Sequence, residues 1–508
     1  MMRAIDRVPA VGSAGIKRVI NGPMIWSPDS NVILGPVPEL QGYFCCNGII
    51  PGFSQSGGMG LMVAQWIIEG EMKYDMFAWD MARFGLWAGK DFTKAKVGDQ
   101  YANRFAIHFP NEERSAGRPC RTRPIYQMQK DMGAVFGLNY GWEHPLWFAD
   151  APGVKDTNGF TRQNWWKPVG AECKMLRDRA GIIDISNFAK YICKGPDAES
   201  WLNAVFANNM PKAVGRSCLT PLIGKRGGIA GDFTVTRLAE DEFWVIGSGI
   251  AERYHSRFFK EVPLPEGTTF ESRTEAMCGF NVAGPQSRAM LQRLTNASLA
   301  TEDFPFMRSK RIELAGVKVL ALRVSFTGDL GWELHCATQD QERLYTALIE
   351  AGKAVGAGPV GGRALMSLRV EKGYGSWSRE YSPEYWPQEV SLDRLCKLDK
   401  DFLNKDAVAA NLQKEAREHL VLLALDSGET DVSNADATGG EPIFKNGKGI
   451  GRVTSGTYGY TVGQSLALGY VNGAQAGDSV EVMVLGKPHK ATILHEPPFD
   501  PKGEKLRA

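Results

Sequence analysis

Apolar and polar positions divide the chain into stretches with different rhythms. Residues 17–50 set short apolar runs between Gly and Pro, as in VILGPVPELQGYFCCNG, which predicts short strands and loops. GFSQSGGMG, residues 52–60, reads as a glycine-rich turn, and Leu61, Met62, Val63, Trp66, Ile67 and Ile68 predict a helix ending near Gly70. Residues 71–165 are rich in aromatics, Arg and Pro; NYGWEHPLWF reads as a packed connecting arm, because Trp and Tyr join a large apolar body to a polar tip. From about residue 166 helical and strand periods alternate. AECKMLRDRAGIIDIS predicts a helix and then a strand, and GPDAESWLNAVF predicts a helix with Pro196 near its start and an acidic first turn. LTPLIGKRGGIAGDFTVTRLAEDEFWVIG predicts a hairpin-like pair of strands about a Gly-Gly turn. VLALRVSFTGDLGWELHC reads as a further strand, and QERLYTALIEAGKAVG and ALMSLRVEKGYG as helices, the second with a glycine close behind it. After about residue 413, HLVLLALD, EPIFKNGKGIGRVTSGTYG, SLALGYV and DSVEVMVLGKPHKATIL are short strands with regular turns, a small barrel or jelly roll.

At 508 residues the chain exceeds one hydrophobic core, so several domains are expected. Lys and Arg number 59 against 57 for Asp and Glu, so net charge gives no reason to expect nucleic acid or an anionic membrane as partner. The nine cysteines are scattered without CxxC, which points to reduced thiols in a cytosol-like compartment. No apolar run approaches the ~20 residues that cross a bilayer. The first residues lack a secretory apolar core but carry several basic residues, which leaves organellar targeting open. No Walker A loop, HExxH or GxSxG occurs, and the seven histidines show no ligand spacing; metal catalysis and triad hydrolysis are poor fits.

Four motifs carry candidate chemistry. The glycines of GFSQSGGMG mark a turn, or allow close backbone approach to a flavin. In GGIAGDF, Asp232 follows a tight turn; such acids usually cap or face water, but one at a pocket rim can stabilise a developing cation or accept a proton. In FTGDLGWELH, alternation places Trp332 and Leu334 on one face and Glu333 on the other. Glu333 either faces solvent or clamps a ligand: a pterin offers an amino group and a ring N–H side by side to two carboxylate oxygens, with Phe326, Trp332 or another aromatic over the ring. In SLRVEKGYG, Arg369 and Glu371 are two apart and share no helix face, so each needs its own partner; a fold-holding ion pair is the default for Arg369, and anchoring a ligand carboxylate the other use.

RAGIIDISNFAKYICKGPDAESWL, RGGIAGDFTVTRL, FNVAGPQSR, SFTGDLGWELH, SLRVEKGY and GEPIFKNGKGIGRVTSGTYGY occur in the order seen in aminomethyltransferases, the T-protein of the glycine cleavage system. WSPDSNVILGPVPELQGYF, SQSGGMG, IHFPNEERSAGRPCRTRPIY, GAVFG and GWEHPLWF narrow the match. The chain resembles the dimethylglycine and sarcosine dehydrogenase family, in which a flavin amine-oxidising half is fused to a T-protein-like half. The resemblance implies an α+β multidomain fold: a remnant of an FAD-dependent oxidoreductase domain over 1–85, a central connecting domain over 86–165, a T-protein-like folate-binding domain over 166–412 and a C-terminal β-barrel over 413–508. It makes Asp232 the catalytic aspartate, with Gly231 where the family has another acid. Glu333 falls at the pterin-binding glutamate, and Phe326, Trp332, Arg369 and Glu389 join it as folate-binding candidates. Phe326 and Leu219 stand where the family has tyrosines, and Glu380 where it usually has Asp.

By the same resemblance, Ser56, Gly57, Gly58 and Gly60 lie in a last flavin-contacting turn. The nucleotide-binding unit lies upstream in the family, so FAD is expected only with a separate or missing unit, as a second subunit or in a longer relative. The expected activity is tetrahydrofolate-dependent one-carbon transfer within N-methyl amine demethylation; a non-catalytic folate-binding or assembly subunit, and a truncated amine dehydrogenase, are the rivals. The expected partners are folate, a small N-methyl amine or its iminium, and a flavin subunit, in a bacterial cytoplasm or a mitochondrial matrix.

Overall fold

A computed structural model describes residues 2–426 and 434–508. After α1 (Met2–Arg7), an antiparallel pair, β1 (Ile33–Pro36) and β2 (Phe44–Asn47), packs under α2 (Gly52–Glu69). The expected turn at 52–60 is therefore helical, and Ser56, Gly57, Gly58 and Gly60 lie inside α2. The reason is packing. Met59, Met62, Val63 and Trp66 repeat at helical spacing and build one apolar cluster with Val32 and Leu34. The Trp66 ring lies over Gly35, where a Cβ would come within 2.5 Å of it, and this seats the helix on β1. After α3 (Lys90–Ala102) and α4 (Tyr126–Asp131), the expected arm proves to be a hairpin of β3 (Ala134–Asn139) and β4 (Trp142–Phe148). Its Trp147 is buried among Val169, Cys173, Ala364 and Leu368.

The next elements are α5 (Trp166–Asp178), β5 (Gly181–Asp184), β6 (Ala189–Lys194), α6 (Ala198–Val205), β7 (Ser217–Ile223), β8 (Ile229–Ala239), β9 (Glu242–Gly247) and α7 (Glu252–Phe259). Then come β10 (Thr269–Ser272), β11 (Met277–Ala283), α8 (Ser287–Gln292), β12 (Ser309–Leu314), β13 (Val317–Leu322), β14 (Gly331–Ala337), α9 (Gln341–Lys353), β15 (Gly358–Val360) and α10 (Gly362–Glu371). They make a five-stranded sheet in the order β10-β6-β9-β8-β7 and a six-stranded sheet in the order β12-β13-β14-β11-β5-β15. The single strand expected over VLALRVSFTGDLGWELHC is two strands, β13 and β14, joined by a loop. Polar side chains hold that loop: the Arg177 guanidinium donates to the Thr327 carbonyl at 2.7 Å and to the Asp329 carboxylate.

Each sheet has one face covered by helices. Tyr191, Phe233, Val235, Phe243 and Val245 of the first sheet pack on Trp201 and Leu202 of α6 and on Phe258 and Phe259 of α7. Phe280, Val282, Trp332 and Leu334 of the second pack on Leu344, Tyr345 and Leu348 of α9. Burial of such side chains is worth about 1.5–3 kcal/mol each, which fixes strand register, since a slip of one residue would turn this face to the other side. After α11 (Lys405–Leu412), β16 (His419–Leu425), β17 (Pro442–Lys445), β18 (Lys448–Gly459), β19 (Gln464–Val471), β20 (Ser479–Val484) and β21 (Lys487–Ile493) close into a barrel, and α12 (Glu504–Arg507) follows. Closure decides between the two expected all-β forms and leaves no open edge.

Candidate functional site

The helix-free faces of the two sheets meet. Register places Asp232, Thr234 and Thr236 of β8 opposite Pro221, Leu219 and Ser217 of β7, with Ile246 and Trp244 of β9 beside Thr234 and Thr236. Across the gap, Glu333 and His335 of β14 pair with Asn281 and Gly279 of β11 and with Leu322 and Leu320 of β13. Trp244, Ile246, Leu320 and Leu322 form one buried cluster between the sheets. Asp232 and Glu333 therefore project into the same seam from opposite walls. This juxtaposition follows from strand parity, because Phe233 and Val235 face the helices on one sheet and Trp332 and Leu334 on the other.

Asp232 is half-buried by exposure, yet crowded by protein on most sides. Burial pushes its carboxyl up to about 6, and only its own backbone N–H opposes that shift. No ion pair reaches it among the described residues. An acid held near the pH of its surroundings can pass a proton in either direction. Gly231, where the resemblance expects another acid, faces the helix side. A Cβ there would lie 2.6 Å from His255 Nε2, so a histidine occupies the room an acid would need. Glu333 keeps part of its side chain open, and His335 Nε2 stands 3.5 Å from its Oε2. Burial lowers the His335 pKa, against the pull of Glu333, which favours the neutral ring. Asn281 Oδ1, Trp244 Nε1 and both His335 ring nitrogens are buried without hydrogen-bond partners.

Beside the seam lies a cavity of about 640 Å³, within the size range of small-molecule sites. Its wall includes Phe188, Ile250, Phe326, Arg369, Trp377 and Tyr458, so the sheet layers, α10 and the barrel all contribute. Phe188 also packs in the seam, and Trp377 Nε1 donates to the Ala230 carbonyl at 2.8 Å, which ties the cavity wall to the strand bearing Asp232. Phe326 stacks on Tyr374 with ring centroids 5.9 Å apart.

The other candidates fall elsewhere. Trp332 sits behind the sheet with Phe304, so it covers no ligand in the seam; it shares parity with Leu334, not with Glu333. Arg369 borders the cavity but is fully buried. Its Nη1 donates to Glu380 Oε2 at 2.7 Å and to the Tyr374 carbonyl, and its Nη2 donates to Ser455 Oγ at 2.6 Å, which is the fold-holding pair. Glu371 has its own partners, Arg177 Nη2 at 2.8 Å and the Thr461 N–H. The Glu389 carboxylate accepts the Trp386 N–H and the Arg417 N–H and guanidinium; burial raises its pKa, but these donors bring it below the usual value. It lies outside the cavity wall. Leu219 is exposed at the edge of the first sheet. Sequence reasoning missed His335, Asn281 and Trp244. For His335 the signal was present, since two residues along a strand return to the same face.

The GCVT N-terminal domain family matches residues 125–400, more than half of the chain. The chain belongs to this family. The glycine cleavage T-protein C-terminal barrel domain matches residues 419–500, and the FAD dependent oxidoreductase central domain matches residues 69–122. Mitochondrial dimethylglycine dehydrogenase of Mus musculus is 35% identical over 504 residues, which are 97% of this chain and 57% of that protein. Mitochondrial sarcosine dehydrogenase of Homo sapiens is 29% identical over 558 residues, 99% of this chain and 60% of that protein. The chain thus spans less than two thirds of the length of these relatives. The crystal structure of the glycine cleavage system aminomethyltransferase T from Bartonella henselae shares the fold, with a TM-score of 0.65 at 24% identity over 75% of this chain and 98% of that one. No helix among the described residues is long and apolar enough to cross a membrane.

The oxidoreductase match raises the question of flavin. Ser56, Gly57, Gly58 and Gly60 do not fit a flavin cradle, because their N–H groups belong to the interior of α2 and are committed to helical hydrogen bonds.

Proposed function

We propose that this chain binds tetrahydrofolate in the region of the seam and adjoining cavity and transfers a one-carbon unit to it, as part of N-methyl amine demethylation. The observation that carries the reading is the pair of carboxylates, Asp232 and Glu333, facing one seam in a GCVT-family domain. Glu333 has a partly open carboxylate whose two oxygens can accept the adjacent N–H groups of a pterin. The donor is an iminium formed from an N-methyl amine, the substrate class that the names of the relatives indicate. Folate N5 attacks the iminium methylene carbon, the carbon–nitrogen bond to the amine breaks, and N10 closes on the same carbon. The two N–H protons of the folate leave with the amine, which departs as an ammonium. Asp232, with its carboxyl pushed up to about 6, can take a proton from folate nitrogen and return it to the amine. Enclosure shields the iminium from hydrolysis to free formaldehyde.

The oxidation that makes the iminium is assigned to a flavin-bearing unit, in a separate subunit or a longer form of the protein. Phe53, Leu61 and Ile68 on α2 are exposed apolar residues available to such a unit.

Anaerobic titration calorimetry with tetrahydrofolate tests the reading. Saturable one-to-one binding is expected, at least tenfold weaker in Glu333→Ala, with Asp232→Ala binding folate but failing to form 5,10-methylenetetrahydrofolate. Absence of heat in the unaltered chain refutes folate binding, and full turnover in Asp232→Ala removes the assigned role.

A further inference from the structure

His335 lies in a slot that the fold leaves open for it. On the neighbouring strand its register partner is Gly279, where a Cβ would come within 2.9 Å of His335 Nδ1. Any larger residue at 279 would push the ring off the strand. The opposing sheet closes the slot from above: the Trp244 and His335 ring centroids are 5.7 Å apart. The imidazole is wholly buried, and neither nitrogen has a hydrogen-bond partner. A buried imidazole with both nitrogens unused is costly unless it serves another group. The group within reach is Glu333, whose Oε2 is 3.5 Å from His335 Nε2, on the same face of β14.

We propose that His335 is a positioning residue for Glu333: its Nε2–H steers the carboxylate into the orientation in which it meets the N–H groups of a bound pterin. The contact lies at the long edge of hydrogen-bond geometry, and closes when Glu333 is drawn against a ligand. Gly279 and Trp244 fix the ring, so the donor is placed before the ligand arrives. A neutral imidazole is suited to this task, because it supplies one N–H without neutralising the charge that the pterin needs. Lys190, a buried cation whose field reaches His335, is occupied elsewhere: its Nζ donates to the Ser186 and Phe188 carbonyls, each at 2.9 Å. The proposal rests on the folate reading above.

The test uses the full chain, with anaerobic tetrahydrofolate as the titrant and four variants, Glu333→Ala serving as the control for the folate site. His335→Phe keeps a ring but removes the donor, and is expected to weaken binding about tenfold, the loss of one hydrogen bond to a charged group. His335→Gln restores an N–H and is expected to recover most of that loss. Gly279→Ala is expected to displace the ring and weaken binding as His335→Phe does. Thermal melting of each variant, and kcat separated from KM, distinguish positioning from damage to the fold: KM rises while kcat is kept. No binding by the unaltered chain defeats the folate reading itself. If the unaltered chain binds and Glu333→Ala does not, but His335→Phe binds normally, His335 has no positioning role. Equal weakening in His335→Gln and His335→Phe also overturns the proposal, because restoring the donor would then restore nothing.

Discussion

Asp232 is the residue at which burial and function conflict. Its carboxyl is pushed up to about 6 from an ordinary 3.8, because protein surrounds it and no cation among the described residues answers it. A raised acid holds its proton more tightly in the folded chain than in the unfolded one. The native state is therefore favoured on acidification, and stability falls as pH rises from about 4 to about 6. Above that window the ionised group is a standing cost. Asp232→Asn removes the charge and keeps the shape, so it should raise the denaturant midpoint at pH 7.5 by an amount worth about 1–2 kcal/mol, with no gain at pH 4. Chemical denaturation at the two pH values checks this; an equal midpoint at pH 7.5 means that Asp232 is well solvated, and its use as a proton carrier loses its physical basis. A residue that stabilises the protein when it is neutralised is one the fold alone would not keep.

At the level of elements, periodicity made most of the T-protein-like half legible. The strand–turn–strand of β7 and β8, the helices α9 and α10 and the closed β region follow from alternation, glycine turns and apolar stripes, although the stretch read as a pair of strands also contains β9, set off by a tight turn at 240–241. The failures have local causes. In VLALRVSFTGDLGWELHC the apolar run crosses a loop whose buried polar groups are satisfied by Arg177, a partner about 150 positions away that no window of sequence contains. The position of Trp332 was legible from its parity with Leu334; placing it over a ligand bound by Glu333 contradicted that same alternation. The parity that puts His335 on the face of Glu333 was legible and was overlooked, whereas its glycine slot is visible only through cross-strand register. The glycines of GFSQSGGMG were read by their intrinsic habit, whereas the contact of Trp66 with β1 overrides it.

The helical state of this glycine run is open to test in α2 itself. Gly57, Gly58 and Gly60 take right-handed backbone angles, and a Cβ at each would meet open space. In a helix, Gly→Ala at such a site stabilises by roughly 0.5–1 kcal/mol; in a turn with left-handed angles it destabilises. Hydrogen exchange over residues 52–69 should therefore slow in Gly58→Ala. Faster exchange there would restore the turn.

Over the whole molecule, the sheets and the barrel are joined by buried polar groups as well as by apolar contact. Arg369 of α10 and Glu380 are both fully buried. Glu380 accepts from Thr454 Oγ1 of the barrel at 2.8 Å, Arg369 donates to Ser455 Oγ, and the Tyr470 hydroxyl donates to the Glu380 carbonyl. Removing one partner strands the other charge away from water, which typically costs 3–5 kcal/mol, whereas removing both costs much less. Arg369→Met should therefore lower the midpoint of barrel unfolding steeply and separate it from that of the sheets, giving two transitions in denaturant. The double variant Arg369→Met/Glu380→Gln should recover most of the loss. Intrinsic fluorescence and far-ultraviolet dichroism followed through the same titration would show the split. If Arg369→Met unfolds in one unshifted transition, the pair is not what couples the barrel to α10. The cavity bordered by both would then owe its shape to the apolar contacts of Val370 with Leu422, Leu466 and Leu468.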